Sequence, residues 1–128
     1  MARHIRMIEG SSIDPAVVAQ VRALVAGRKR VLVVLDSMHT HAHVLAELHA
    51  YSPLVGSGSY LVVFDTTIEH MPGHFFPDRP WGKGDNPWTA VHAFVAESDR
   101  FVIDKTIADK LQLTVAIDGY LRCVKDWA

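Results

Sequence analysis

Apolar residues run in short blocks along this chain, and each block stops at a residue able to turn or cap it. Val17, Val18, Val21, Leu24 and Val25 recur at helical spacing. Asp14-Pro15 reads as an N-cap followed by proline at the first helical position, and Gly27 closes the segment. The pattern predicts an amphipathic helix over 15–26. Val31-Leu32-Val33-Val34-Leu35 shows no alternation, as expected of a central strand buried on both faces. Thr40 to Tyr51 carries Val44, Leu45 and Leu48 on one helical face, and Tyr60 to Phe64 is a second buried strand ending at Asp65. Pro87 to Glu97 is a third helix, with Ala90, Val91, Phe94 and Val95 inward. Ile5 to Ile8 is a short strand candidate that ends in the turn composition Glu9-Gly10-Ser11-Ser12. Phe101 to Asp104 and Leu111 to Ile117 read as two more strands. Only six residues separate them, too few for a helical crossover, which predicts an antiparallel hairpin.

The predicted order is β-α-β-α-β-loop-α-β-β. It implies one α/β domain over 1–128, with a mostly parallel sheet that ends in an antiparallel hairpin. Residues 69–88 stand apart. Pro72, Pro77, Pro80 and Pro87 break any periodicity, while Phe75, Phe76, Trp81 and Trp88 need something to pack against. A loop of that length inside a compact domain is usually a lid or substrate loop.

Composition narrows the function classes. The 128 residues suffice for one modest core, and 49% are hydrophobic, a globular composition. Thirteen basic and 14 acidic residues give a net charge of −1, so there is no electrostatic footprint for nucleic acid or an anionic membrane. Arg28-Lys29-Arg30 is expected to be a solvated loop. The one cysteine, Cys123, excludes an internal disulfide and a Cys-rich metal site, and reads as a small packing residue. With no signal peptide or membrane span legible, a cytoplasmic location is expected.

The chemistry gathers where strands end. In a doubly wound sheet, ligands bind outside the carboxyl ends of the parallel strands. Three predicted strands end in Glu9-Gly10-Ser11-Ser12, Asp36-Ser37 and Asp65-Thr66, which would lie side by side. Asp36 and Asp65 suit a hard cation such as Mg²⁺, or each caps the next helix. LDSMHTHAH, residues 35–43, adds three histidines. His39 and His43 share a helical face, but no glutamate lies between them and zinc would need a third ligand, so zinc is disfavoured. His39, nearest the strand tip, could act as a general base. His43 is expected to pack half-buried and His41 to be solvated. The Gly10-Ser11-Ser12 turn could present N–H and hydroxyl groups to a nucleoside-like ligand.

RMIEGSSIDPAVVAQV, VLVVLDSMHTHAHVLAELHAYSPLVGSGSYLVVFDT and FVIDK with LQLTVAIDGYLRCV resemble the cephalosporin hydroxylase family. This is a branch of the Rossmann-like S-adenosylmethionine (SAM)-dependent methyltransferases that also includes rhamnosyl O-methyltransferases. The D-S-x-H-x-H-x-H-V-x-x-E-L stretch, residues 36–48, is the most specific part. The resemblance implies a three-layer α/β/α fold of which this chain corresponds to the C-terminal half, truncated on the N-terminal side. It implies SAM near Gly10, Ser11, Ser12 and Asp36, and a divalent metal such as Mg²⁺ on Asp36 and Asp65. The family's acidic pair reads Phe64-Asp65 here, which removes one carboxylate; waters or the Thr66 hydroxyl could substitute. Two functions follow as expectations. One is a SAM- and metal-dependent O-methyltransferase acting on a small hydroxylated molecule, with His39 assisting deprotonation and the 69–88 loop as lid. The alternative is a catalytically inactive half-domain that dimerises as a binding module. Either way the sheet would have an open edge, which a second copy of the chain is expected to cover.

Overall fold

The computed structural model describes residues 4–127. Helix α1 (Pro15–Val25) begins where the Asp14 carboxylate accepts the Ala16 N–H at 2.8 Å. Strand β1 (Val33–Leu35) leads into α2 (His41–Tyr51), capped by the Thr40 hydroxyl. Strand β2 (Tyr60–Val63) precedes the long irregular segment, and α3 (Pro87–Glu97) follows it with a reciprocal Asn86–Thr89 capping box. Strand β3 (Phe101–Ile103), helix α4 (Lys105–Leu111) and strand β4 (Tyr120–Cys123) complete the chain. Among the described residues, no helix is long and apolar enough to cross a membrane.

The sheet is mixed, in the order β1-β2-β4-β3. β1 and β2 pair in parallel, while β4 runs antiparallel to both β2 and β3. Three of the four strands therefore share one direction, yet only one of the three pairings is parallel. α2 and α3 pack on each other, and Leu48, Val91 and Phe94 join Leu61, Val63, Leu121 and Cys123 in the core. Cys123 is the buried packing residue its sequence context predicts, and Arg28, Lys29 and Arg30 are exposed. The register that sets Leu35 opposite Val63 also sets the next residues, Asp36 and Phe64-Asp65, at one edge.

Two predicted strands are not strands. Ile5 to Ile8 is irregular, with Ile5 and Met7 exposed. A strand needs a ladder partner, and among the described residues the outer edge of β1 has none. The expected Leu111–Ile117 hairpin strand is also overturned. Asp104 accepts the Thr106 N–H and caps α4, so the supposed turn is a helix. Leu111, Leu113 and Val115 alternate in sequence, but all three are exposed, so alternation there does not mark a buried face. The antiparallel partner of β3 is β4. Gly119, just before β4, lies so close beneath β2 that a Cβ there would collide with the Val63 carbonyl oxygen.

The 69–88 segment is ordered, with 3-10 turns at Thr66–His70 and Gly73–Phe75. A polar clasp closes it. Glu69 Oε2 accepts the Gly84 N–H at 2.8 Å and the Asn86 amide at 2.5 Å, and that amide also donates to Gly82 O. Asn86 is fully buried. The Gly84 N–H holds the Glu69 carboxyl below its ordinary pKa, helped by Asn86 and nearby Lys83 and His70.

Candidate functional site

The chain brings Asp36, His39 and Asp65 together at the carboxyl ends of β1 and β2. One ligand atom from each lies within 4.8 Å of the other two. Asp36 is the first residue past β1, and Asp65 follows β2 after one residue. His39 stands in the turn before α2. Its Nε2 lies 3.2 Å from Asp65 Oδ2, and its ring meets the Trp81 ring edge-on at 4.8 Å between centroids. Asp65 itself has φ of 56°, a left-handed conformation that an L-residue adopts at a cost of roughly 1 kcal/mol. Aspartate tolerates it better than most, and it turns the carboxylate back toward β1 instead of onward along the strand.

Neither aspartate caps a helix. No side-chain cap bond is made by Asp65, and α2 is capped by Thr40. The contest between capping and ligand binding that the sequence leaves open is thus narrowed at both residues. Thr66 does not join the cluster. It is fully buried and its hydroxyl donates to Val115 O at 3.3 Å, so it is no substitute for the absent carboxylate.

The other predicted site residues form a second, adjoining knot. The Ser12 and Ser37 hydroxyls both donate to Glu47 Oε1, at 2.5 and 2.7 Å. His43 Nε2 lies 3.0 Å from Ser12 Oγ and 3.6 Å from Glu47 Oε1. Tyr51 donates its phenol to Ser12 O at 2.6 Å, and burial together with the Glu47 charge raises its pKa. The knot ties the 10–12 turn and the β1 tip to α2. Gly10 has φ of 140°, and a Cβ there would crowd Val17. Gly10 and Ser11 are exposed. The Ser12 hydroxyl proton is committed to Glu47, which leaves its oxygen as an acceptor beside the β1 groove.

Sequence reasoning missed Glu47. The signal was present: Val44, Glu47, Leu48 and Tyr51 share one buried helical face, and Glu47 is only 2% exposed there. A carboxylate on an apolar face needs partners, and Ser12 in the turn before α1 and Ser37 beyond β1 supply them. His41 was expected to be solvated. It is half-buried instead, with Nδ1 at 2.8 Å from Thr89 Oγ1 and its N–H donated to Asp85, so it joins α2 to the end of the loop. His43 is half-buried, as expected, but bonded and not merely packed.

A cavity of about 250 Å³ opens beside His39 and Asp65. Ile68, Phe76, Arg79 and Trp81 form its other walls. Of the loop's aromatic residues, Phe76 and Trp81 share this cavity with Asp65, whereas Phe75 is exposed and Trp88 lies against His92. A larger groove of about 470 Å³ runs along the unpaired edge of β1, from Val31 to Asp36 and Ser37.

The family profile described as Rhamnosyl O-methyltransferase/CmcI matches residues 1–124. The chain belongs to the rhamnosyl O-methyltransferase/CmcI family. Curated relatives agree. The chain is similar to the rhamnosyl O-methyltransferases of Mycobacterium bovis (strain BCG / Pasteur 1173P2) and Mycobacterium tuberculosis (strain ATCC 25618 / H37Rv), each 36% identical over 116 residues. That alignment covers 89% of this chain and 45% of either relative. The Mycobacterium leprae (strain TN) rhamnosyl O-methyltransferase is 34% identical over 119 residues, covering 91% of the chain and 49% of the relative. The chain therefore spans about half the length of these relatives. No solved structure matches it.

The residues present fit a divalent cation in part. Asp36 and Asp65 supply two hard oxygens, few enough that water would complete the shell of Mg²⁺. His39 adds a nitrogen that a first-row transition ion accepts more readily. For SAM, the turn beside β1 offers the backbone of Gly10 and Ser11 and the Asp36 carboxylate.

Proposed function

We propose that this chain is the metal- and acceptor-binding part of a Rossmann-like, SAM-dependent O-methyltransferase acting on a small hydroxylated molecule. The observation that carries the proposal is the convergence of Asp36, His39 and Asp65 at two adjacent strand tips. The two carboxylates hold a divalent cation, Mg²⁺ in the first instance. That ion, when bound, lowers the pKa of an acceptor hydroxyl.

His39 takes the hydroxyl proton, while Asp65, 3.2 Å from Nε2, stabilises the imidazolium that forms. Trp81 fixes the ring plane. The 69–88 loop forms the acceptor wall and limits water at the hydroxyl, held shut by the Glu69 clasp. Gly10, Ser11 and Asp36 border the cofactor, and the Glu47 knot keeps the two turns in register. SAM supplies the methyl group.

The outer edge of β1 exposes Leu32 and Val34 along the larger groove. An unpaired, apolar sheet edge favours a second copy of the chain as its cover. The test is calorimetric titration of SAM into a sample of known solution mass, with and without Mg²⁺. Binding that Mg²⁺ enhances is expected. No binding in either condition contradicts the enzyme reading and favours a dimerising module without catalysis.

A further inference from the structure

We infer that the acceptor is a ring bearing both a hydroxyl and an anionic group, which Arg79 and Trp81 select. The inference rests on the methyltransferase reading for the hydroxyl, but the anion preference comes from separate residues. Arg79 lies over the Trp81 ring, with its guanidinium carbon 5.3 Å from the ring centroid. Among the described residues the guanidinium makes no ion pair and no side-chain hydrogen bond; even the adjacent Asp78 does not pair with it. Stacking on an indole holds the planar group in one orientation and leaves its N–H edges free. Those edges suit a carboxylate or a phosphate, which can accept two parallel bonds.

The small cavity has opposite polarity at its two sides. Asp65 and His39 form one, and Arg79 the other, with Phe76 and Trp81 between them. Arg79 is exposed and hydrated, so a neutral polyol gains nothing from its charge. An anion on the acceptor satisfies Arg79 and, through the ring, turns the hydroxyl toward His39 and away from the guanidinium. The volume, about 250 Å³, has room for one substituted ring. The indole face gives that ring a surface to pack on.

Three probes test this by calorimetry on the whole chain with Mg²⁺ present: catechol, 3,4-dihydroxybenzoate and 3,4-dihydroxybenzylphosphonate. At least one anionic probe is expected to bind about tenfold more tightly than catechol. Whichever does so identifies the anion as carboxylate or phosphate-like. Arg79→Gln is expected to reduce that preference, read as the ratio of anionic-probe to catechol affinity in the same variant, to within twofold. Equal affinities for all three probes in the parent overturn the inference, as does a preference that survives in Arg79→Gln, or no binding by any probe. Mg²⁺ titrated alone into the same samples separates the two levels. Mg²⁺ binding without an anion preference removes the Arg79 inference only. An anion preference that persists without any Mg²⁺ binding removes the metal reading only.

Discussion

The two ends of the sheet treat their charged residues in opposite ways. Where β3 begins and β4 ends, Arg100 is buried and its guanidinium donates to the carbonyls of Ser52, Val55 and Lys125 at 2.7 to 3.1 Å. Phe101 and Trp127 lie against its faces at 5.3 and 5.0 Å. Each guanidinium nitrogen has a backbone acceptor, so the charge is satisfied within the fold, although a cavity of about 520 Å³ adjoins it. At the other end, beyond β1 and β2, Asp36 is exposed, Asp65 holds a left-handed backbone and neither carboxylate caps a helix. A buried charge that is fully satisfied is part of the scaffold, whereas converging carboxylates without capping partners are open to a ligand.

The contrast can be broken from either side. Arg100→Ala should have the largest effect, a loss on the order of 3 kcal/mol in chemical denaturation, because three carbonyls lose a charged donor. If stability is unchanged, the closed end is not the structural anchor. Phe64→Glu should tighten Mg²⁺ by about tenfold in calorimetry, since it returns a carboxylate beside Asp65. An unchanged affinity would show that position 64 does not reach the cation. Asp65→Gly should raise stability by up to about 1 kcal/mol through relief of the positive φ, and should abolish cation binding. A stability loss together with retained binding would reverse the reading of that residue.

The smallest effect concerns the loop. The folded pKa of Glu69 is depressed, so its clasp stabilises the loop above the ordinary carboxyl range and is lost as pH falls through the lowered value. Tryptophan fluorescence should therefore change at acid pH before global unfolding. Glu69→Gln should lack that early transition, and its persistence in the variant would place the acid-sensitive group elsewhere.

Much of this was legible in the sequence. The three long helices lie within a residue of their expected bounds, because caps and apolar period agree at each. Asp36, His39 and Asp65 could be picked out because apolar runs end at or near them, although Val31 to Leu35 is not the central strand buried on both faces that its unbroken run predicts: β1 lies at the sheet edge with Leu32 and Val34 exposed. The misses have physical causes. Ile5 to Ile8 has strand composition, but pairing is a property of a neighbour and not of the segment. Leu111 to Ile117 alternates, yet the Asp104 cap outweighs alternation and begins a helix. Glu47 was hidden because its partners, Ser12 and Ser37, come from distant turns. The loop clasp likewise joins Glu69 to Gly84 and Asn86 across fifteen or more residues, a closure that local pattern does not encode.

The central claim is that the β1 and β2 tips together hold a divalent cation. The most direct measurement is calorimetric titration of Mg²⁺ into the parent chain and into Asp36→Ala, with circular dichroism to show that both are folded. The account predicts saturable binding in the parent and at least about tenfold weaker binding in the variant. Equal affinity in the two proteins would contradict it.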